Sequence, residues 1–416
     1  MGLVVFLFAG WFALGAYFLK KAKLGRDWFW LCLGALLCAL VVRFFCMDHL
    51  TSDYTDFLSR WAQFFRDNGG FWGIRKPIGD YNVPYLYFMA AISYLPVRDL
   101  YLIKLFSIFF DLLLAFTALR LARLLRPQRQ GLQAGVFCVV LLLPTVVLNG
   151  AYWGQCDSVY AALTLLALAD ALDKRPARSV VWLGVAFSFK LQTIFLIPLW
   201  CVLWYSGRVK FKHLLLFPLS YFATILPALL LGKPLGDILG VYFNQMGLYN
   251  DRLTLNAPSL YALIPYGAQV DGQFWSKVGI IAAFVFVLGL LGGLFFRRKS
   301  LTDEHILTVA LLLAIGVPLL LPHMHERYFF LADVLSVIWC GLDIRRASVP
   351  VAVQTASLGG YHAYLVLRYA FPMAWGAWMM VFSLVVAGGV LIYSLQKVSK
   401  APQNPENTQE SDGDVF

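Results

Sequence analysis

Between Met47 and Pro84 the chain reads MDHLTSDYTDFLSRWAQFFRDNGGFWGIRKPIGDYNVP, and the interpretation of this polar stretch decides the fold. It carries Asp48, Asp53, Asp56, Asp67 and Asp80, yet it lies between two segments apolar enough to live in lipid. A long acidic and aromatic loop held against a membrane face by greasy helices on both sides reads as a site rather than a linker.

Around this stretch, the 416 residues are 60% hydrophobic and 14% charged, with a mean hydropathy of +0.70. That composition excludes a soluble globular core and points to an all-α polytopic integral membrane protein. The net charge of +11 comes from Lys and Arg scattered through short connections between apolar runs. This is the pattern of membrane topology, so no nucleic-acid partner is expected. The cysteines lie in or beside apolar runs without a zinc-type CxxC pair, and read as packing residues.

Spans were sought as runs of about 20 apolar residues, with Lys and Arg marking the cytoplasmic ends. Residues 1–46 form an uncleaved N-terminal hairpin, with spans over Gly2–Leu19 and Trp28–Cys46 and the N-terminus outside. Residues 47–100 form an external loop with juxtamembrane helices, among them Tyr85–Leu95, too short to cross and ended by Pro96. Tyr101–Leu124 runs inward to Arg120, Arg123, Arg126 and Arg129. Leu132–Leu148 returns outward to the polar run Asn149–Asp157, and Ser158–Leu172 goes back in. Val180–Trp204 is basic at both ends, which two half-length helices turning near Lys190 and Gln192 would reconcile. The bundle continues to residue 396 through Phe211–Leu231, Lys277–Phe296, Ile306–Leu321, Tyr328–Leu342 and a last hairpin, Val349–Ala370 and Met373–Tyr393. Residues 233–276 form a second external stretch with Tyr249, Asp251, Arg252 and Asn256, and 397–416 read as a disordered cytoplasmic tail. The expected total is about 11–13 transmembrane helices by this span length.

Under this topology the polar groups that hydrocarbon tolerates least arrive at one face. Asp53 and Asp56, three residues apart on a helix starting after Ser52, would share a face with Arg60 a turn further on. Either Asp53 caps that helix and Asp56 pairs with Arg60, or a partly buried carboxylate with a raised pKa accepts a proton from a hydroxyl. His323, His325, Glu326 and Arg327 crowd one turn at a helix end. There a guanidinium fork and imidazole donors could hold a phosphate, or the cluster could simply anchor the helix. Its spacing is not the i, i+4 pair of a zinc site. Lys190 and Gln192 could reach a phosphate or sugar, or Lys190 could pair inside the bundle as Asp111 and Asp333 are expected to do. Trp61, Trp72, Tyr81, Tyr85 and Tyr87 could stack on sugars or form an interfacial belt. No metal cofactor is favoured, because the first loop has no compact DxD element, although Asp53, Asp56 and Asp157 could bind a divalent ion if they converged.

Five elements in order carry a resemblance: Ser52-Asp53-Tyr54, Asp80-Tyr81-Asn82-Val83-Pro84, Gly154-Gln155-Cys156-Asp157-Ser158-Val159, Lys190-Leu191-Gln192, and His323-Met324-His325-Glu326-Arg327. Together they resemble the GT-C superfamily of polyprenyl-phosphate-sugar-dependent glycosyltransferases. Within it the chain is most similar to the dolichyl-phosphate-glucose glucosyltransferases of N-glycan assembly and to bacterial Gpi-like mannosyltransferases. The resemblance implies a GT-C-like bundle, Asp53 as catalytic base, His325 and Glu326 near the donor's lipid phosphate, and inverting transfer without a nucleotide sugar. The chain departs from the eukaryotic pattern in two places: Asn82-Val83-Pro84 stands where those enzymes have Pro-Pro, and Arg327 where they often have Lys.

The resulting expectation is a hexosyltransferase in a bacterial plasma membrane, with its site on the extracytoplasmic face. It would move mannose or glucose from a polyprenyl-phosphate donor to a glycolipid or glycan acceptor. Asp53 and Asp56 are the catalytic candidates, and His323, His325, Glu326, Arg327, Lys190 and Gln192 would hold the donor. Asp80, Tyr81, Trp61, Gln155 and Asp157 would face sugar or acceptor. The rival readings are a lipid-linked sugar flippase or other transporter, and an envelope polysaccharide polymerase or ligase.

Overall fold

The computed structural model describes residues 2–247, 252–265 and 267–400. Two apolar helices, α1 (Gly2–Lys21) and α2 (Arg26–Phe45), lead into the polar stretch, which folds as a π-helical turn (Tyr54–Leu58), α3 (Ser59–Asp67) and a 3-10 turn (Gly70–Arg75). The short α4 (Val83–Ile92) follows, capped by the Asn82 side chain, with Pro84 in its first turn. The 27-residue α5 (Asp99–Leu125) spans about 40 Å at 1.5 Å per residue.

α6 (Gln130–Leu142) breaks before Pro144, and the next segment, α7 (Pro144–Val147) with a π-helical turn (Leu148–Trp153), leaves at 43°. A proline cannot donate to the preceding turn, which accounts for the bend. α8 (Asp157–Leu172) and α9 (Pro176–Phe189) form the next hairpin; Lys190 is extended, and a 3-10 turn (Leu191–Leu196) feeds α10 (Ile197–Tyr205). Val180–Trp204 is therefore two helices broken at Lys190. The remainder is α11 (Phe211–Leu214), α12 (Leu216–Leu230), α13 (Leu235–Gly247), α14 (Gly272–Phe295), α15 (Asp303–Leu320), α16 (Phe330–Leu342), α17 (Ser348–Leu365) and α18 (Met373–Lys400). α18 continues through Lys397, where the tail was expected to begin; residues 401–416, with Tyr249 and Asp251, lie outside the described residues.

The chain is an all-α, multi-pass membrane protein by the length and apolarity of its helices. Among the described residues seven helices are long and apolar enough to cross, or eight if the bent α6–Trp153 segment counts as one span. The expected 11–13 is larger because several apolar runs fold into shorter or broken helices. α8 has 16 residues and α16 has 13, α9 and α10 part at Lys190, and α17 carries Gln354, Thr355, Ser357 and His362. The crossing helices differ in depth: 83% of the apolar window of α15 and 72% of that of α5 is buried, against 17% for α14. α5, α8, α15 and α16 make the centre; α1, α14 and α18 face outward.

Buried charge inside this bundle is held by hydrogen bonds, and in places by an ion pair. Arg43 of α2 donates to Asp111 of α5 at 2.9 Å, with both side chains fully buried, and its other nitrogens reach the carbonyls of Ala39 and Leu141. Ser158 of α8 donates to the second Asp111 oxygen. Asp333 is served instead by a neutral donor, Ser357 Oγ at 2.8 Å.

Removing one partner of the Arg43–Asp111 pair leaves an uncompensated charge in hydrocarbon. Asp111→Ala should therefore cost about 3–5 kcal/mol, read as a large drop in unfolding temperature in detergent. The double variant Arg43→Met/Asp111→Leu should recover most of that loss, and equal damage from the single and double variants would show that the pair is not what holds α2 to α5.

Candidate functional site

The polar loop, the Asn149–Asp157 run, the break at Lys190, the end of α17 and the segment after α15 meet at one end of the bundle. The meeting is set up by local backbone. The π-turn ends at Gly154, whose φ of +85° favours glycine. The chain then folds back so that Gln155 N donates to the Asn149 carbonyl at 2.9 Å and Asp157 opens α8.

Asp53 is half-buried at the centre of the first cluster. Its Oδ2 accepts from Trp153 Nε1 at 2.9 Å and from Gln155 Nε2, and its Oδ1 accepts from the Tyr364 hydroxyl of α17. The Tyr81 hydroxyl donates to Gln155 Oε1 at 3.1 Å, so the amide presents its nitrogen to Asp53. Burial pushes the Tyr81 phenol well above its usual value, keeping it a donor. No ion pair reaches Asp53 among the described residues, and its side chain does not cap a helix.

Asp157, fully buried, is the centre of the second cluster. It accepts from Lys190 Nζ and, at 2.7 Å, from Asn149 Nδ2, and Arg327 Nε lies 3.8 Å away. Arg327 donates to Glu326 Oε1 at 2.8 Å, and His325 Nδ1 stands 3.8 Å from Glu326 Oε2. Rings join the clusters: the Arg327 guanidinium lies 5.3 Å from the Trp153 ring, Lys190 lies 5.5 Å from Tyr81, and Trp153 stacks on Tyr364 at 4.6 Å. Arg327 Nε and Glu326 Oε2 are buried without a hydrogen bond, as is Gln192 Oε1. The arrangement sets an uncoupled carboxylate beside two cations that each hold a buried acid and one of which keeps a donor in reserve.

Other expected residues stand elsewhere. Asp56 is exposed, its near contact being Thr55 Oγ1 at 3.5 Å, and it makes no ion pair with Arg60. The physical reason is the π-turn over Tyr54–Leu58: an i→i+5 turn is wider than an α-turn, so residues three apart no longer share a face. Asp80 is exposed, outside the Asp53 and Asp157 hydrogen bonds. Trp61 is buried and meets Tyr81 edge-on at 5.5 Å, backing that ring rather than offering a free face. His323 turns away at φ +61°, its ring between the Arg252 carbonyl at 2.6 Å and Ser276 Oγ at 3.1 Å. Asp53, Asp56 and Asp157 do not form a common cage, and among the described residues no three His, Cys, Asp or Glu side chains are grouped as metal ligands. A cavity of about 1250 Å³ lies at the opposite end of the bundle and is lined by none of these residues.

Trp153, Asn149, Tyr361 and Tyr364 complete the site without having been singled out. The first two lie in the recognised polar run. Tyr361 accepts from Asn149 at 3.1 Å and sits one turn before Tyr364 on α17. Their three-residue spacing after Gly359-Gly360 was the available signal.

The loop after α15 is seated by a two-residue parallel pairing, β1 (Thr254–Leu255) with β2 (Met324–His325). Gly360 lets it approach α17, since a Cβ there would lie 2.6 Å from the Asn256 carbonyl oxygen and 3.0 Å from Glu326 Cβ. Gly360→Ala should cost about 1–3 kcal/mol and speed proteolysis within 252–265. Gly10→Ala, where a Cβ meets nothing within 4 Å, should do neither. Similar proteolysis in both variants would mean that Gly360 does not seat the loop.

In comparison with known proteins, no family model matches the chain and no curated protein matches it.

Proposed function

We propose that this protein is an inverting hexosyltransferase that takes mannose or glucose from a polyprenyl-phosphate donor and passes it to a lipid-linked or cell-envelope glycan. The reaction would occur at the extracytoplasmic face of a bacterial plasma membrane. The observation that supports it is the state of Asp53. Its carboxylate is oriented by three neutral donors, is paired with no cation, and remains within reach of solvent. The buried carboxylates of the bundle are either paired with a cation, as Asp111 and Asp157 are, or sealed from solvent, as Asp333 is, whereas Asp53 is neither.

In this reading Asp53 takes the proton of an acceptor hydroxyl as that oxygen bonds to the anomeric carbon. The bond from the anomeric carbon to the phosphate oxygen breaks, and its electron pair leaves with the lipid phosphate. Arg327 is the residue suited to the departing anion, because its guanidinium lies over Trp153 beside Asp53 and meets phosphate as a fork. Lys190 acts at the same place through Asp157, which holds both cations near Trp153 and Tyr81. The donor's lipid tail accounts for a site at the end of membrane helices. Five resembling elements support the same reading, and each of them supplies a residue to one of the two clusters.

The test is transfer from radiolabelled polyprenyl-phosphate glucose and mannose to extracted glycolipids by purified protein. General-base assistance is worth ~10²–10⁴-fold, so Asp53→Asn should lose about that much turnover, while Asp56→Asn should stay close to wild type. Undiminished transfer by Asp53→Asn would remove it as the base. Transfer by wild type from neither donor would instead favour glycolipid transport or a larger donor.

A further inference from the structure

The end of the bundle remote from Asp53 holds a cavity of about 1250 Å³ between α6, α16 and α17. Small-molecule pockets run to roughly 300–1,000 Å³, so this space is larger than such a ligand needs. Leu132, Val136, Val139 and Leu143 line one wall and Val351 and Leu358 another. Val139 is 48% and Val351 65% exposed, so the walls open sideways toward the surrounding lipid. The groove is deep: from Arg129 to Leu143 along α6 is about 20 Å at 1.5 Å per residue, comparable with one leaflet of a bilayer whose core is ~30 Å thick. Its inner end is the bend before Pro144, where Thr145 and Gln354 hydrogen-bond to each other at 3.0 Å.

The mouth is charged. Arg126, Arg129, Arg345 and Arg346 line it against Glu304 and Asp343, four cations to two acids, an excess of two positive charges. Arg126 and Arg346 share Glu304 at 2.7 and 2.6 Å, and Arg345 takes Asp343 at 2.7 Å. Arg129 has no ion pair among the described residues, and Arg346 Nη1 is buried without a hydrogen bond. The Arg346 guanidinium is held over the Trp339 ring at 4.6 Å. An unpaired arginine and an orphaned guanidinium nitrogen at the mouth of an apolar, side-opening groove call for a ligand with an anionic head and a hydrocarbon tail.

The geometry points to a binding site for an anionic glycerophospholipid here, its phosphate at Arg129 and Arg346 and an acyl chain along α6 and α17. A free phosphate would satisfy the mouth and leave the apolar depth unfilled. A zwitterionic lipid would fill the depth and bring no net charge to the excess of arginine. The site is separate from the reaction proposed above and does not depend on it.

The test is native mass spectrometry of the delipidated full-length protein, given equal amounts of phosphatidylglycerol and phosphatidylcholine with identical chains. Wild type should retain phosphatidylglycerol preferentially. Arg129→Gln should reduce that preference by about tenfold, the value of one hydrogen bond to a charged group. Gly135→Leu, at a lining glycine where a Cβ would meet nothing within 4 Å, should fill the groove and lower retention of both lipids while leaving unfolding temperature intact. Equal retention of the two lipids by wild type would overturn the proposal, as would undiminished retention by Gly135→Leu. So would glycerol phosphate competing as well as the intact lipid, which would assign the mouth to a free anion.

Discussion

Asp157 cannot be left alone. It is fully buried at the start of α8, and an isolated carboxylate there would cost several kcal/mol. Its needs therefore fix the positions of three other segments: Asn149 must arrive from the preceding turn, Lys190 from the break between α9 and α10, and Arg327 from the segment after α15. Each of those segments departs from regular helix where it does so. The π-turn ends in a left-handed glycine, Lys190 is extended, and His323 has positive φ. Irregular backbone at membrane depth is tolerated where protein buries it, and here the buried ionic centre supplies the reason for it. Asp53 then inherits its position from the same turn, since Trp153 and Gln155 are its donors.

What the sequence made legible follows from the same constraint. Apolar runs and arginine-rich ends give a periodicity and charge pattern that hydrocarbon enforces, so the helical class and the two helices before Met47 could be read directly, while the break at Lys190 stood as one of two ways to read Val180–Trp204. A lysine inside an apolar run that is basic at both ends has few physical solutions, and the break was one of them. Span number was less legible, because hydropathy does not distinguish a 16-residue buried helix such as α8 from a crossing one. The pairing of Asp53 with Asp56 failed for a local reason: one π-turn changes which residues share a face, and three-residue spacing carries no mark of it. Tyr364 was illegible for a tertiary reason, since its hydroxyl matters only once α17 lies beside a loop 311 residues away in sequence.

The bundle has two chemically different ends. α5 runs from Asp99, which accepts from Tyr54 of the polar loop at 3.2 Å, to Arg120, which holds Asp170 and Asp173. α15 runs from Asp303 and Glu304, bound to Arg208, Arg126 and Arg346, to the loop that carries Arg327. At one end arginines and acids make ion pairs around helix termini. At the other, ion pairs are present as well, but beside them aromatic rings and amides surround a carboxylate that no cation pairs among the described residues. Stability alone would favour ion pairs at both ends, so the carboxylate held by neutral donors is the feature that asks for a function.

The layers beneath the site bear on which kind of function that is. Asp111 with Arg43, and Asp333 with Ser357, form a polar layer under the Asp157 cluster. Deeper along α5 the buried positions are Leu112, Leu114, Ala115, Thr117, Ala118 and Leu119, with the Thr117 hydroxyl turned onto the Leu113 carbonyl of its own helix, and along α15 they are apolar from Val309 to Leu319. A transporter that moves a polar headgroup needs polar groups along its passage to receive it. The closely packed apolar layer between the two ends would have to part for such a passage, whereas a transferase needs only the end where the polar side chains already meet. Packing of this depth favours the transfer proposed above over passage, and the lipid proposed for the groove at the other end would be held in place rather than passed through.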